Sequence, residues 1–399
     1  MHFLKEFKNK KILIFGYGKT GKSVRSYFIK NRINHTIWDD NRKLNIKNVD
    51  KKYYLKKYDY IILSPGVDVY HHQNKDFFKK HKKNIITDLD IFFLCEKKFK
   101  YIVGVTGTNG KSSFCNLLYN LTKKNNIKSS LLGNFGNPVL NVNTLKKEYC
   151  ILELSSYQLD YSKYIRLDSA CILNISADHL DRHETITKYK KIKLKIFNFL
   201  KSTGVGFYQK KAFPKLKKRK NIQCFDKINK TLIQKILKKN ILISKNDLKK
   251  NNLPHRYEMF HKMNNFKFID DSKSTNFDST RYALKLTSNS ILISGGLLKK
   301  GDNFFLKDLQ NKIIKIYLFG NDIGMLKKSL EKQKITFNYF LNLKDLLKYL
   351  FMKDYKELVN KKKIFNILFS PGAASFDQFK NFEQRGKIFK KYVYKFFKR

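Results

Sequence analysis

The sequence predicts an α/β protein of three domains, each built on an open sheet, and three observations predict it. Short apolar runs recur along all 399 residues, and many end at once in a loop containing Gly, Ser or Asp. Stretches with helical spacing separate those runs, the alternation that gives a parallel sheet with crossover helices. A chain of this length is also too long for one compact core, so two to three domains are expected.

The first unit opens with Lys11-Ile-Leu-Ile-Phe15, whose apolar run Ile12–Phe15 reads as a short buried strand. Gly16-Tyr-Gly-Lys-Thr-Gly21 and a helix through Lys30 follow it. His35–Trp38 and Tyr60–Leu63 are the next strands, ending in Asp39-Asp40 and Ser64-Pro-Gly66. In the second unit Tyr101–Val105 runs into a glycine loop and a helix from Ser112 to about Lys124. Tyr149–Leu152 and Ala170–Leu173 are strands, and a helix is expected from Ile186 to Leu200. The stretch from Lys210 to Asn252 is lysine-rich and weakly patterned. The third unit begins near Pro254-His-Arg256, with strands at Phe266–Ile269, Ser290–Ser294, Ile314–Phe319 and Ile364–Phe369, and again suggests a doubly wound sheet. In such sheets ligands bind at the carboxyl ends of strands, where the polar loops fall.

Composition narrows the partners. Lys and Arg number 84 against 32 Asp and Glu, a net charge of +52, which on its own suggests nucleic acid. The lysines are instead spread through every segment, with no basic stripe interleaved with stacking aromatics, so no nucleic-acid partner is expected. The overall field suits the steering of anionic small molecules. With 42% apolar and 15% aromatic residues the chain can bury several cores. Five cysteines without CxxC or metal spacing read as reduced thiols of a cytoplasmic protein. The apolar run Ile12–Phe15 is too short for a secretion signal, and no stretch is long enough to insert in a membrane.

The strongest chemical signal is Gly104-Val-Thr-Gly-Thr-Asn-Gly-Lys-Ser-Ser113, a glycine loop between a strand and a helix. Thr106, Gly107, Thr108, Asn109 and Gly110 can turn backbone N–H groups onto phosphates, with help from the helix N-terminus. Lys111 can neutralise phosphate oxygens and Ser112 can reach a Mg²⁺ ion. Glu153 ends a strand where it can hold Mg²⁺, although an isolated strand-end glutamate can equally be a solvated edge residue. His179 lies among Asp178, Asp181 and Arg182 after another strand, a setting that favours function over a structural histidine. Gly16–Gly21 has GxGxxG spacing with Asp39 about twenty residues beyond, the dinucleotide pattern. In a chain that already has a triphosphate loop, the same turn fits a UDP-linked substrate equally well.

Taken together, the loops resemble those of the Mur ligases of peptidoglycan synthesis. Gly104–Ser113 resembles that family's ATP loop, Leu152–Leu159 its Glu-Leu-Ser-Ser motif, and Leu173–His183 its Asn-x-x-x-Asp-His-Leu-Asp-Arg motif. Asp270–Asn276 resembles Asn-Asp-Ser-Lys-Ala-Thr-Asn, with Asp270 in place of the first Asn and Ser274 in place of Ala. Ser370-Pro through Glu383-Gln-Arg-Gly386 is similar to the ending of the D-glutamate-adding branch.

The resemblance implies a Rossmann-like domain over 1–97, a P-loop ATPase-like domain over 98–252 and a Rossmann-like domain over 253–399. It implies a cytoplasmic, monomeric enzyme that uses ATP and two Mg²⁺ ions to join D-glutamate to UDP-N-acetylmuramoyl-L-alanine. Lys111, His179 and Lys193 would be catalytic, with Ser112, Glu153, His179 and a Lys193 carbamylated by CO₂ around the metals. Lys190, Lys191 and Lys195 crowd Lys193, so a plain helix lysine is the competing reading. Ser113, Arg256, Asp271 and Lys273 would join the loop residues on ATP. Lys19, Thr20, Asp39, Asp40, Ser64 and Asn134 would meet the UDP substrate, and Thr275, Lys299, Ser375 and the Phe382 backbone would hold D-glutamate.

One departure stands out. Where the family has a Gly-x-His-Asn-x-x-Asn helix and an alanine-rich stretch, Ile241–Ser244 here runs through Lys245–Leu253 straight into Pro254-His-Arg256. A non-catalytic nucleotide- or UDP-sugar-binding relative is therefore a rival reading, as is a ligase of the same family acting on another amino acid or on folate. A nicotinamide oxidoreductase would leave the ATP loop without a purpose.

Overall fold

The computed structural model describes residues 4–40, 48–95, 99–141, 148–214, 216, 220–249, 253–298 and 304–397. Its strands form three sheets. The first contains β1 (Ile12–Phe15), β2 (Thr36–Trp38), β3 (Tyr60–Leu63) and β4 (Ile85–Ile86), all parallel, in the order β2-β1-β3-β4. The second contains β5 (Tyr101–Thr106), β6 (Ser129–Gly133), β7 (Tyr149–Glu153), β8 (Leu167–Ile172), β9 (Leu200–Gln209) and β10 (Ile222–Phe225). It too is parallel, in the order β10-β9-β8-β5-β7-β6. The third contains β11 (Glu258–Met263), β12 (Phe266–Asp270), β13 (Ser290–Gly295), β14 (Ile313–Phe319), β15 (Asn338–Phe340) and β16 (Phe365–Phe369). Its order is β11-β12-β16-β13-β14-β15, with β11 antiparallel to β12 and every other pair parallel.

Parallel strands covered on both faces must be apolar throughout, and the central ones are. All residues of β1, β7, β13 and β16 are buried. The second sheet has a core on each side, one around Leu152, Leu167 and Phe197, the other around Val105, Phe114, Leu118 and Ile233. Strand order reverses beside β1 and again beside β5, because successive strands lie on opposite sides of each. In open α/β sheets such reversals are where ligands bind, outside the carboxyl ends of the strands.

Two expectations need correction. The helix expected to reach Leu200 ends at Leu194, gives way to a 3₁₀ turn over Lys195–Phe199, and Leu200 begins β9. Gly206 in β9 packs against the Phe197 ring, so the chain tightens there to bring its aromatics under the sheet. The stretch after Lys210 is also more ordered than its lysines suggest. It holds β10 and an amphipathic helix, Lys230–Leu237, whose Leu232, Ile233, Ile236 and Leu237 are buried.

The chain divides into two compact units, Met1–Ile175 with Arg182–Lys249, and Ser176–Asp181 with Lys250–Arg399. The first two sheets therefore belong to one unit. Buried Asp90 joins them, accepting from the backbone N–H groups of Lys163 and Tyr164 at 2.7 Å each. No helix among the described residues is long and apolar enough to cross a membrane.

Candidate active site

The loop between β5 and the helix Lys111–Lys124 has its backbone turned by Gly110, the residue before the helix, at φ 77. Only glycine adopts that left-handed conformation without steric cost. The loop is pinned from β8's end: Asn109 N–H donates to Asn174 Oδ1 at 2.8 Å, Asn174 Nδ2 returns a bond to Asn109 O at 2.9 Å, and Thr108 N–H donates to Asn174 O at 3.0 Å. Lys111 Nζ lies over its own loop, donating to Gly107 O at 2.9 Å and Thr108 O at 2.7 Å. Ser112 and Ser113 open the helix and are half-buried. Gly104 lies inside β5, against Leu167, rather than in the turn.

Lys193 is where the structure adds most. Of the four crowded lysines it alone is buried, at 1% exposure, while Lys190 and Lys195 are half-buried and Lys191 is exposed. Its ammonium donates to Thr106 Oγ1 at 3.0 Å and Gly107 O at 2.9 Å, so it props the phosphate loop from beneath. Thr106 in turn donates to Leu154 O at 2.7 Å, and Thr108 Oγ1 lies 3.2 Å from the Tyr189 hydroxyl one helical turn before Lys193. Burying an ammonium costs several kcal/mol, in order of magnitude, unless polar partners replace water. A surface lysine would not be held this way.

Glu153 ends β7, paired in register with Val105 of β5, and is 1% exposed. Asn134 Nδ2 donates to its Oε1 at 2.7 Å, while its Oε2 is buried with no hydrogen-bond partner among the described residues. An unsatisfied buried carboxylate oxygen is costly. A hard cation beside the phosphates would satisfy it, and Glu153 and Ser112 are the oxygen donors Mg²⁺ prefers. These residues fit the ion.

His179 belongs to the other compact unit. Its backbone is left-handed at φ 56, its N–H donates to Asp178 Oδ1 at 2.9 Å, and its Nε2 lies 3.5 Å from Asp178 Oδ2. Asn276 Nδ2 donates to Asp178 Oδ2 at 3.2 Å, tying that segment to the loop after β12.

At β1 the expected UDP-substrate residues are already interlocked. Tyr17 N–H donates to Asp39 Oδ2 at 2.5 Å, and Ser64 Oγ donates to Gly16 O at 2.7 Å. Asp40 accepts from Trp38 Nε1 at 2.7 Å and lies 2.8 Å from His72 Nε2. Lys19, exposed, and Thr20, half-buried, begin the helix Lys19–Lys30. Buried Arg182 reaches this region, donating to Pro65 O at 2.9 Å with its guanidinium 4.2 Å from the Tyr157 ring centre.

In the C-terminal unit the loops after β12, β13 and β16 converge. Asp271 is buried, accepting from Ser370 Oγ at 2.8 Å and Tyr257 N–H at 3.0 Å, and burial pushes its carboxyl up to about 7. Lys273 Nζ lies 4.0 Å and Arg256 Cζ 5.9 Å from the centre of the Phe382 ring, and Phe382 O accepts from Ser272 Oγ at 2.9 Å. Thr275 is half-buried and Ser375 fully buried. Lys299 lies outside the described residues.

Arg385 had no role assigned from sequence. It is fully buried and donates to Ser272 Oγ at 3.1 Å, Ser272 O at 2.7 Å and Ala373 O at 3.0 Å, with Gly295 O at 3.5 Å, so one guanidinium ties all three loops. Burial lowers its pKa to about 10. The available signal was its place in Glu383-Gln-Arg-Gly386 within the conspicuous ending.

The family model of the Mur ligase middle domain matches residues 105–247. Among solved structures, the MurF ligase of Thermotoga maritima in complex with ADP aligns over 98% of this chain and 97% of its own, with TM-score 0.55 and 18% identity. The UDP-N-acetylmuramate-alanine ligase MurC of Thermotoga maritima aligns over 96% and 99%, with TM-score 0.53 and 14% identity. At these identities the likeness is one of fold, a multidomain α/β architecture. The UDP-N-acetylmuramoylalanine–D-glutamate ligase of Francisella tularensis subsp. tularensis (strain WY96-3418) is 32% identical over 429 residues, covering 98% of this chain and 97% of its own. The same-named protein of Francisella tularensis subsp. novicida (strain U112) is 33% identical over 430 residues with the same coverage. The chain belongs to the UDP-N-acetylmuramoylalanine–D-glutamate ligase family.

Proposed function

We propose that the chain joins D-glutamate to the alanyl carboxyl of UDP-N-acetylmuramoyl-L-alanine at the expense of ATP, in the assembly of peptidoglycan precursors. Identity of 32% across 98% of the chain with ligases of that name carries the reading. The loop propped by Lys193 beside Glu153 is what such chemistry needs. A carboxylate repels nucleophiles and has no good leaving group. Attack of its oxygen on the γ-phosphorus releases ADP and leaves an acyl phosphate. The D-glutamate amine then attacks the acyl carbon and loses a proton, and phosphate departs.

Lys111 offsets charge on the phosphates, and Thr106 through Ser113 cradle them. Ser112, Glu153 and His179 would hold Mg²⁺, which would supply positive charge to offset that of the phosphates and the attacking carboxylate. Lys193 as a carbamate is the finer version: its amine adds to CO₂, releases a proton, and turns a cation into a metal-binding anion. Lys19, Thr20, Asp39, Asp40, Ser64 and Asn134 face the UDP substrate. Arg256, Asp271 and Lys273 face the nucleotide, and Thr275, Lys299, Ser375 and the Phe382 backbone face D-glutamate. The working division is 1–97, 98–252 and 253–399, in a monomeric cytoplasmic enzyme.

Phosphate release with all three substrates, and with each omitted, tests the reading. Activity that depends on D-glutamate supports it. A second reading, binding without turnover, draws on one observation: the alignment with the Francisella relatives runs to 429 positions against the 399 residues of this chain, so the relatives carry stretches that this chain lacks. Tight binding of ATP and UDP substrate with no phosphate released would favour it.

A further inference from the structure

Arg256 sits between two residues that are both left-handed, His255 at φ 61 and Tyr257 at φ 49. Each such non-glycine residue costs about 1 kcal/mol or more and persists only where its surroundings enforce it. The enforcement comes from neighbouring carboxylates and backbone. His255 Nδ1 lies 2.6 Å from Asp270 Oδ2, His255 N–H donates to Glu258 Oε2 at 2.8 Å, and His255 O accepts from Lys273 N–H at 2.9 Å. Tyr257 N–H donates to Asp271 Oδ1 at 3.0 Å. Lys390 Nζ lies 2.7 Å from Glu258 Oε2 and 3.7 Å from Asp270 Oδ2.

The pair is sealed in. Asp270 is 0% and His255 6% exposed. A Cβ on Gly386 would lie 2.2 Å from His255 Nδ1 and 2.9 Å from Asp270 Oδ2, so the helix Phe382–Phe396 closes on them only with glycine there. His255, Glu258 and Asp270 also offer ligand atoms within 4.8 Å of one another. With the Lys390 ammonium already against two of them, the cluster reads as an ionic clamp rather than a metal site.

We infer that Asp270, with Glu258 and Lys390, is a positioning residue: it clamps His255 and so holds Arg256 on the turn from which it meets the nucleotide. The inference rests on the proposed role of Arg256. Asp270 accepts with both oxygens, from Ser272 N–H through Oδ1 and opposite His255 through Oδ2. Alanine removes both partners, whereas asparagine keeps the shape and a polar atom at each position.

The test is steady-state phosphate release by the full chain, with ATP, D-glutamate and UDP-N-acetylmuramoyl-L-alanine varied in turn. Asp270→Ala should raise KM for ATP about tenfold, the equivalent of ~1.4 kcal/mol, with the other two KM values within about twofold. Asp270→Asn should recover most of the loss. In an Arg256→Ala background, Asp270→Ala should add nothing further, because both changes remove the same interaction. An unchanged KM for ATP in Asp270→Ala, or an effect that multiplies with that of Arg256→Ala, overturns the inference while leaving the role of Arg256 intact. An Arg256→Ala variant with normal KM for ATP removes that role and overturns the inference with it. If Asp270→Ala does not fold, Glu258→Gln, which weakens the same clamp, must show the same selective rise in KM for ATP, and an unchanged value overturns the inference.

Discussion

The loop after β5 and the turn around Arg256 present cations by opposite means. The β5 loop is made of backbone: Gly110 sets the turn, Asn174 pins the tip, and two lysines donate to loop carbonyls. The Arg256 turn is made of side chains: carboxylates of Asp270, Asp271 and Glu258 hold it, and Arg385 ties together the loops that end near it. A backbone loop depends on few residue types at close spacing, so it leaves a strong sequence signature. A side-chain clamp draws Glu258 and Asp270 from paired strands and Lys390 from the distant C-terminal helix, and leaves almost none.

The largest effect is expected at Lys111. Lys111→Ala should cut D-glutamate-dependent phosphate release by roughly 10³-fold, as expected when a donor to a charged transition state is lost. Next is Lys193→Met, for which about 10²-fold is expected because an unpropped loop misplaces the phosphates, while Lys191→Ala on the exposed face should remain within about twofold. If both lysines behave alike in that assay, Lys193 is not supporting the loop.

Arg385→Met exposes the other strategy. It leaves the carbonyls of Ser272 and Ala373 without their donor inside the unit, and a loss of about 3 kcal/mol in denaturant unfolding is expected. Loss below about 1 kcal/mol would mean the three loops hold themselves.

Titration gives a smaller contrast. Burial pushes Asp271 in the C-terminal unit, and Asp88 in the other, up to about 7. A carboxyl whose folded pKa is raised keeps its proton in the folded state while the unfolded chain releases it. Stability from that group therefore falls as pH rises from about 4 to about 7, then levels off. Melting temperatures of Asp271→Asn and Asp88→Asn should gain on the parent across that window. A constant difference from pH 4 to pH 8 would contradict the shift. The smallest effect is expected for Gly110→Ala, where a Cβ meets open space and only the left-handed backbone resists, at about 1 kcal/mol.

The same logic explains what the sequence made legible. β1, β3, β5 and β7 are buried along nearly their whole length, so their apolar runs stand out even among so many lysines. β10 and β11 are sheet edges with partly exposed residues, and neither carries a clean alternation. The helix Lys230–Leu237 was legible in principle from the spacing of Leu232, Ile233, Ile236 and Leu237, but lysines around it masked the stripe. Glu153 and Lys111 followed from strand ends and a glycine loop. The burial of Lys193 did not, because Tyr189-Lys-Lys-Ile-Lys193 offers three lysines and only packing selects one.

The central step is a nucleotide-driven ligation at the β5 loop. Its most direct test is phosphate release from ATP with UDP-N-acetylmuramoyl-L-alanine and D-glutamate, each omitted in turn. Phosphate is expected only when all three are present, in step with formation of the dipeptidyl product. Phosphate release indifferent to D-glutamate, or none with all three bound, would contradict it.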